Sequence, residues 1–243
     1  MALSISQTKA LGEILKPGMR VASMGYPDII APVDMPMVEF RADSEAICKR
    51  HGLKQRPIPD AHSFFRVLGC NLDVFDVVRE RGCEILCDLN YPVEETLYET
   101  YDIALDVGTL EHCFNIGQAA FNMAGMLKLG GVILHENPLN WANHGFYGLN
   151  PTWYADFYQQ NGFTLLDCQL IPRDGSPAYS PPLTKRFVFH ATEANIFAMA
   201  RRDEIRKLVY PVQTKYKSLI PAAGVLTGEA AAEQPRAKEI ANG

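Results

Sequence analysis

Carboxylates and imidazoles recur along this chain just where apolar runs end. Asp76 falls near the end of residues 72–77 (LDVFDV), Asp88 closes 84–89 (EILCDL), and Asp106 closes the core of 101–108 (YDIALDVG). A carboxylate in such a place can accept hydrogen bonds from two adjacent hydroxyls, and charge-assisted bonds of that kind contribute roughly 1.5–3 kcal/mol each. The same Asp can equally cap a helix or lead a turn. Glu111-His112 follows a few residues after Asp106. An imidazole near neutrality suits removal of a proton from a hydroxyl or amine, although the pair also fits a packing and turn role. Residues 136–147 (ENPLNWANHGFY) crowd amides, a histidine and aromatic rings into one short segment. Asn137, His144 and Tyr147 are the candidates there for orienting an acceptor, since amides align polar groups and aromatic faces attract cations. His135, inside an apolar run, reads as a core histidine.

These groups need a scaffold, and the pattern of the chain supplies one. Residues 4–16 read as an amphipathic helix that stops before Pro17-Gly18. Strands are expected at 19–26, 72–77, 84–89, 101–108, 131–138, 163–171 and 185–191. Helices are expected at 44–52, 63–70, 115–131 and 151–162, with a short helical link at 77–82 and a terminal helix over 193–219. Strands alternating with helices imply a mainly parallel sheet covered on both faces. The last two strands are joined only by a Pro/Gly/Ser-rich loop, which predicts an antiparallel pair at one edge. This gives an N-terminal helix (1–18), a ligand-binding domain (19–192), a C-terminal helix (193–220) and a loose tail (221–243). Residues 27–63 form a long insertion after the first strand, of the kind that serves as a lid. In an open sheet of this type, ligands bind beyond the carboxyl ends of the strands at the point where the strand order reverses.

Composition narrows the class further. The 243 residues are 47% hydrophobic, enough for a sizeable core, and carry 23 Lys+Arg against 28 Asp+Glu, a net charge of −5. That balance argues against a nucleic-acid partner held through its phosphates. Arg201, Arg202, Arg206 and Lys207 read as a solvated helix face. No apolar stretch reaches the roughly 18 residues of a membrane span, and no basic-then-apolar leader opens the chain. The six cysteines show no metal-ligand spacing, so reduced thiols in a cytoplasmic protein are the simplest expectation. Cys83 and Cys87 are expected on one face of a strand. The oligomeric state is open, with a homodimer as one option.

Two segments carry a resemblance. Residues 105–138 (LDVGTLEHCFNIGQAAFNMAGMLKLGGVILHENP) resemble the strand–helix–strand unit of class I S-adenosylmethionine (SAM)-dependent methyltransferases, in which an "LEH"-like turn precedes a helix ending in "LKPGG". Residues 143–163 (NHGFYGLNPTWYADFYQQNGF) resemble the next unit, a Pro-led helix ending in "GF". The resemblance covers roughly residues 19–191. It implies an α/β, Rossmann-like, mostly parallel seven-stranded sheet with an antiparallel edge pair, and SAM as cofactor.

The resemblance also implies roles. Gly25 and Tyr26 would form the first turn, Asp76 would take the ribose hydroxyls, and Asp88 with the Leu89 backbone would hold the adenine. Asp106, Gly108 and Thr109 would lie beside the methionine part. On residue type rather than on the resemblance, His112 is a candidate base and Asn137, His144 and Tyr147 are candidates for the acceptor; the family's own counterpart of Glu111-His112 is a packing and turn feature. The family's first turn usually reads acidic-x-Gly-x-Gly-x-Gly, whereas this chain has Ala22-Ser23-Met24-Gly25-Tyr26-Pro27-Asp28 with one glycine. SAM has no pyrophosphate to cradle, so one glycine is compatible with it.

The leading expectation is in-line methyl transfer to a small molecule. The sulfonium is already activated, so no metal is called for. The alternatives are a cyclase or lyase on the same fold that consumes SAM and releases methylthioadenosine, and a binding protein that has lost SAM.

Overall fold

A computed structural model describes residues 2–189 and 193–219. Met1–Pro211 make one compact unit and Val212–Gly243 a second. The first unit contains β1 (Ala2–Leu3), α1 (Ile5–Ile14), β2 (Arg20–Met24), β3 (Asp28–Ile29), α2 (Ser44–Arg50), α3 (Ala61–Val67), β4 (Asn71–Asp76) and β5 (Ile85–Leu86). It continues with β6 (Tyr101–Asp106), α4 (Ile116–Met126), β7 (Leu127–Pro138), α5 (Pro151–Gln160), β8 (Phe163–Pro172) and β9 (Ala194–Arg202). The described part of the second unit holds a 3-10 turn at Thr214–Leu219. No described helix is long and apolar enough to cross a membrane.

The main sheet has the order β5-β4-β2-β6-β7-β9-β8. All neighbours are parallel up to β7, and β9 runs antiparallel to both β7 and β8. The period-two alternation of strand side chains builds two cores. Val21, Ile103, Leu105, Val132 and Leu134 point to the face covered by Leu11 of α1 and Phe64 and Phe65 of α3. Ala22, Met24, Ala104 and Ile133 point to the opposite face, against Ala119, Ala120 and Met123 of α4 and Tyr154, Phe157 and Tyr158 of α5. The helices start where their caps dictate. Asp60 accepts the Ser63 N–H at 2.8 Å before α3, and Pro151 follows Asn150 at the start of α5.

Several expectations are corrected. Residues 194–202 (ANIFAMARR), expected as the start of a helix, form β9. Their alanines have high helix propensity, but a place between two strands outweighs it. Ile196, Ala198 and Ala200 alternate into the core while Phe197 faces the other core. The unit that holds the sheet, expected to end at residue 192, therefore extends past it. Residues 185–189 are not a strand, although aromatic and β-branched types dominate there; Phe187 and Phe189 pack against the core from a loop. The rest of that expected strand, and the expected tail at 221–243, lie outside the described residues. The link at 77–82 has no helix, and the strand expected at 84–89 pairs only at Ile85–Leu86, so Cys83 and Cys87 share no strand face. Arg202 is buried and donates to the Leu127 carbonyl at 2.6 Å, rather than lying on a solvated helix. The cysteines are free, with Cys83 exposed and Cys48, Cys70, Cys113 and Cys168 buried.

Candidate functional site

β2 lies between β4 and β6, so the chain leaves the carboxyl ends of these strands in opposite directions and opens a crevice there. A cavity of about 450 Å³ occupies it. Gly25, Tyr26, Asp76, Asp88, Leu89, Gly108, Thr109 and His112, all expected site residues, line this cavity. Gly25 has φ +81°, a conformation that glycine adopts without penalty, and its N–H donates to the Phe75 carbonyl at 2.6 Å. The turn after β2 is thereby sewn to β4. Gly108 has φ +95°, and the neighbouring Thr109 hydroxyl donates to the Met24 carbonyl at 2.5 Å. Asp76 accepts the Val78 N–H at 3.3 Å, and Asp88 accepts from the Asn90 backbone and side chain at 2.9 and 2.8 Å. Asp88 thus leads a turn and also faces the cavity.

The rest of the lining includes residues that sequence reasoning missed. Asp28, Arg50, Glu80, Arg81 and Glu84 also line the cavity. Buried Asp28 meets Arg81 at 3.1 Å, His51 at 3.2 Å and Arg50 at 3.7 Å, and Arg81 also pairs with Asp43. The Tyr26 hydroxyl donates to Asp60 at 2.6 Å and accepts the Ala61 N–H at 3.0 Å. Burial, then the bond to Asp60, holds the Tyr26 phenol far above its ordinary range. These contacts tie the 27–63 insertion to the rim. Nothing local marks them in the sequence, because Asp28 and Arg81 are 53 residues apart.

Asp106 does not line the cavity. It is fully buried, against the expectation that it faces the methionine part of a ligand. One oxygen accepts the Thr109 and Leu110 N–H groups at 3.0 Å each. The other meets His135 Nδ1 at 2.6 Å and accepts from Asn137 Nδ2 at 2.9 Å. His135 Nε2 lies 2.5 Å from the Tyr158 hydroxyl. A proton on Nδ1 with Nε2 accepting from the phenol satisfies the whole chain of bonds. Burial pushes the Asp106 carboxyl up, but the His135 and Asn137 bonds outweigh it and leave the group below its ordinary range. His135 is the core histidine expected.

Asn137 is buried too and does not line the cavity. It donates to Asp106 and to Glu111 Oε2, both at 2.9 Å, and accepts from the Tyr154 hydroxyl at 2.6 Å. Tyr147 also lies off the cavity and donates its hydroxyl to the Phe114 carbonyl at 2.8 Å. His144 does not line the cavity either; its ring packs edge-on to Trp141, with centroids 4.8 Å apart.

The place of Glu111 was not foreseen either. It is buried, and its Oε1 has no hydrogen-bond partner among the described residues, an arrangement that costs roughly 1–3 kcal/mol. Its neighbours are His144 Nε2 at 3.5 Å and His112 Nε2 at 3.8 Å. Burial, then the charge of Asp106, pushes the Glu111 carboxyl up to about 7. Burial, then His144, lowers the His112 imidazole. The Glu-His dipeptide was visible in the sequence. The third member, His144, became its neighbour only through the return of the 139–149 loop.

No family profile and no curated protein sequence matches the chain. Solved structures do. A Bacillus halodurans protein with a provisional methyltransferase assignment aligns over 82% of this chain and 100% of its own, with a TM-score of 0.51 and 11% identity. The 1,6-didemethyltoxoflavin N1-methyltransferase of Burkholderia thailandensis aligns over 81% of this chain and 76% of its own, with a TM-score of 0.50 and 13% identity. This chain has the class I SAM-dependent methyltransferase fold. The Burkholderia structure was solved with 1,6-didemethyltoxoflavin and S-adenosylhomocysteine bound. On the methyltransferase fold of the present chain, the 450 Å³ cavity is the crevice beyond β2, β4 and β6.

Proposed function

We propose that the protein is a SAM-dependent methyltransferase acting on a small-molecule acceptor. The observation that carries this reading is the cavity at the strand-order reversal, in a methyltransferase fold, lined by Gly25, Asp76, Asp88, Leu89 and Gly108. Its volume of about 450 Å³ suits a nucleoside-sized ligand. S-adenosylhomocysteine bound to the Burkholderia relative supports the choice of cofactor.

In this reading Asp76 accepts the ribose hydroxyls and the Asp88–Asn90 turn faces the adenine. Gly108 and Thr109 pass close to the methionine part. SAM supplies an activated methyl group. The acceptor atom attacks the methyl carbon as the C–S bond breaks, and the electron pair goes to sulfur. The protein's main task is alignment, which can lower the barrier by roughly 7–11 kcal/mol. His112, which lines the cavity, is placed to take the acceptor's proton.

Isothermal titration with SAM is the test, followed by mass spectrometry of the nucleosides after incubation. One equivalent of SAM is expected to bind and to be recovered intact. Asp76→Ala should weaken binding about 10-fold or more, equal to about 1.4 kcal/mol. Absence of SAM binding would overturn the reading. Release of methylthioadenosine without an acceptor would replace it with SAM cyclisation or lysis.

A further inference from the structure

We propose that Glu111, His112 and His144 bind one divalent first-row transition-metal ion that holds an oxygen of the acceptor. This inference rests on the methyltransferase reading for its role, but not for the site itself. The ligand atoms of the three residues all lie within 4.8 Å of one another. With metal–ligand bonds of about 2.0–2.2 Å, neighbouring ligands of one ion sit roughly 3–3.6 Å apart. The Glu111–His144 separation of 3.5 Å already meets this, and the Glu111–His112 separation of 3.8 Å is close to it. Both imidazoles are half-exposed, so small rotations can close the set.

Buried Glu111 Oε1 has no partner among the described residues and faces both imidazoles. Its sister oxygen accepts from Asn137 at 2.9 Å, so the carboxylate is oriented from behind in the manner of an outer-shell partner. The loop that brings His144 is fixed as well. Phe146 N–H donates to the Glu111 carbonyl at 2.8 Å, and Trp141 packs on the His144 ring. Asn143 holds a left-handed φ of 57° to make the turn before it.

Two imidazole nitrogens and one carboxylate suit Zn²⁺, Mn²⁺, Co²⁺ or Fe²⁺ rather than Mg²⁺ or Ca²⁺, which favour oxygen sets. Three protein ligands leave positions open for a substrate. His112 lines the cavity and Gly108 lies against Glu111 Oε1, so those open positions adjoin the expected methyl donor. The acceptor class this selects is a hydroxyl or enol. With the ion bound, His112 is a ligand and no longer the base, so the bound hydroxyl, made more acidic by the ion, gives its proton to solvent. Its oxygen forms the new bond to the methyl carbon as the C–S pair leaves to sulfur.

The test uses the full chain, stripped with a chelator and titrated with Co²⁺ without SAM, read by calorimetry and by visible d–d absorption. One equivalent should bind with a Kd of about 1 µM or tighter, and Mg²⁺ at the same concentration should not displace it. His144→Ala changes a half-exposed loop residue, and its thermal melt checks folding. It and Glu111→Gln should weaken Co²⁺ binding about 100-fold or more. Wild-type affinity no better than that of a His112→Ala/His144→Ala double variant would overturn the site. SAM titrations of the same metal-free protein keep the two readings apart. SAM binding without Co²⁺ binding overturns the metal site alone, and Co²⁺ binding without SAM binding overturns its methyltransferase role.

Discussion

Asp106 shows how one carboxylate can shape a site it does not touch. It caps the turn that carries Glu111 and His112, and it joins β6 to His135 and Asn137 of β7. Asp106→Asn should cost about 3 kcal/mol, from several charge-assisted bonds at once. For a domain of this size that lowers the thermal midpoint by about 6–12 °C, measurable by calorimetry. The pH dependence follows from the lowered Asp106 carboxyl. Its stabilisation is complete above the ordinary Asp value of about 3.9 and fades as pH falls through the lower folded value. The gap between wild type and Asp106→Asn should therefore narrow only below about pH 4; a constant gap down to pH 2 would contradict this origin. Asp76 and Asp88 were legible as cavity residues because each ends an apolar run. Asp106 ends one as well, yet it points into the core. The end of a strand fixes where a residue is, but not which way a side chain turns when a buried histidine stands on the neighbouring strand.

The elements around the site are held by close approaches and ion pairs. A Cβ on Gly145 would lie 2.8 Å from the Glu111 carbonyl oxygen and 2.9 Å from Glu111 Cγ. Gly145→Ala should therefore push the 139–149 loop off Glu111. The expected cost is about 1–3 kcal/mol, as for overpacking elsewhere, with the proposed metal affinity reduced more than SAM affinity. The 27–63 insertion depends on Arg81 in the same sense. Arg81→Ala leaves Asp28 buried with Arg50 and His51 as its remaining ion-pair partners among the described residues. A loss of about 2–4 kcal/mol is expected, with earlier proteolysis within 27–63 and weaker SAM binding. Unchanged proteolysis would show that the insertion is held by its apolar packing. The existence of these loops was legible from prolines and glycines. Their partners were not, because ion pairs across the chain leave no local pattern. The misreading of 194–202 has the same root, since propensity and tertiary pairing disagreed and only pairing knew about β7 and β8.

The whole sheet places two cores back to back, with the site at one end of the strands. Its parallel half was legible because each strand is followed by a punctuated helix or loop. Its closing strand was not. A chain truncated before Ala194 should lose cooperative unfolding, since β7 and β8 would each lack the partner that fills the space between them. Circular dichroism melts would show this directly; a sharp transition in the truncated chain would argue that the sheet closes without β9.

That order of assembly has a consequence for how the protein is made. β7 and β8 both run opposite to β9, so they run alongside each other in the same direction. During translation both emerge before β9 does, and nothing in their direction prevents them from zipping together. Any such pairing has to open before β9 can enter between them. Pulsed hydrogen exchange during refolding should accordingly find β2, β4 and β6 protected early, with β8 and β9 protected last and together.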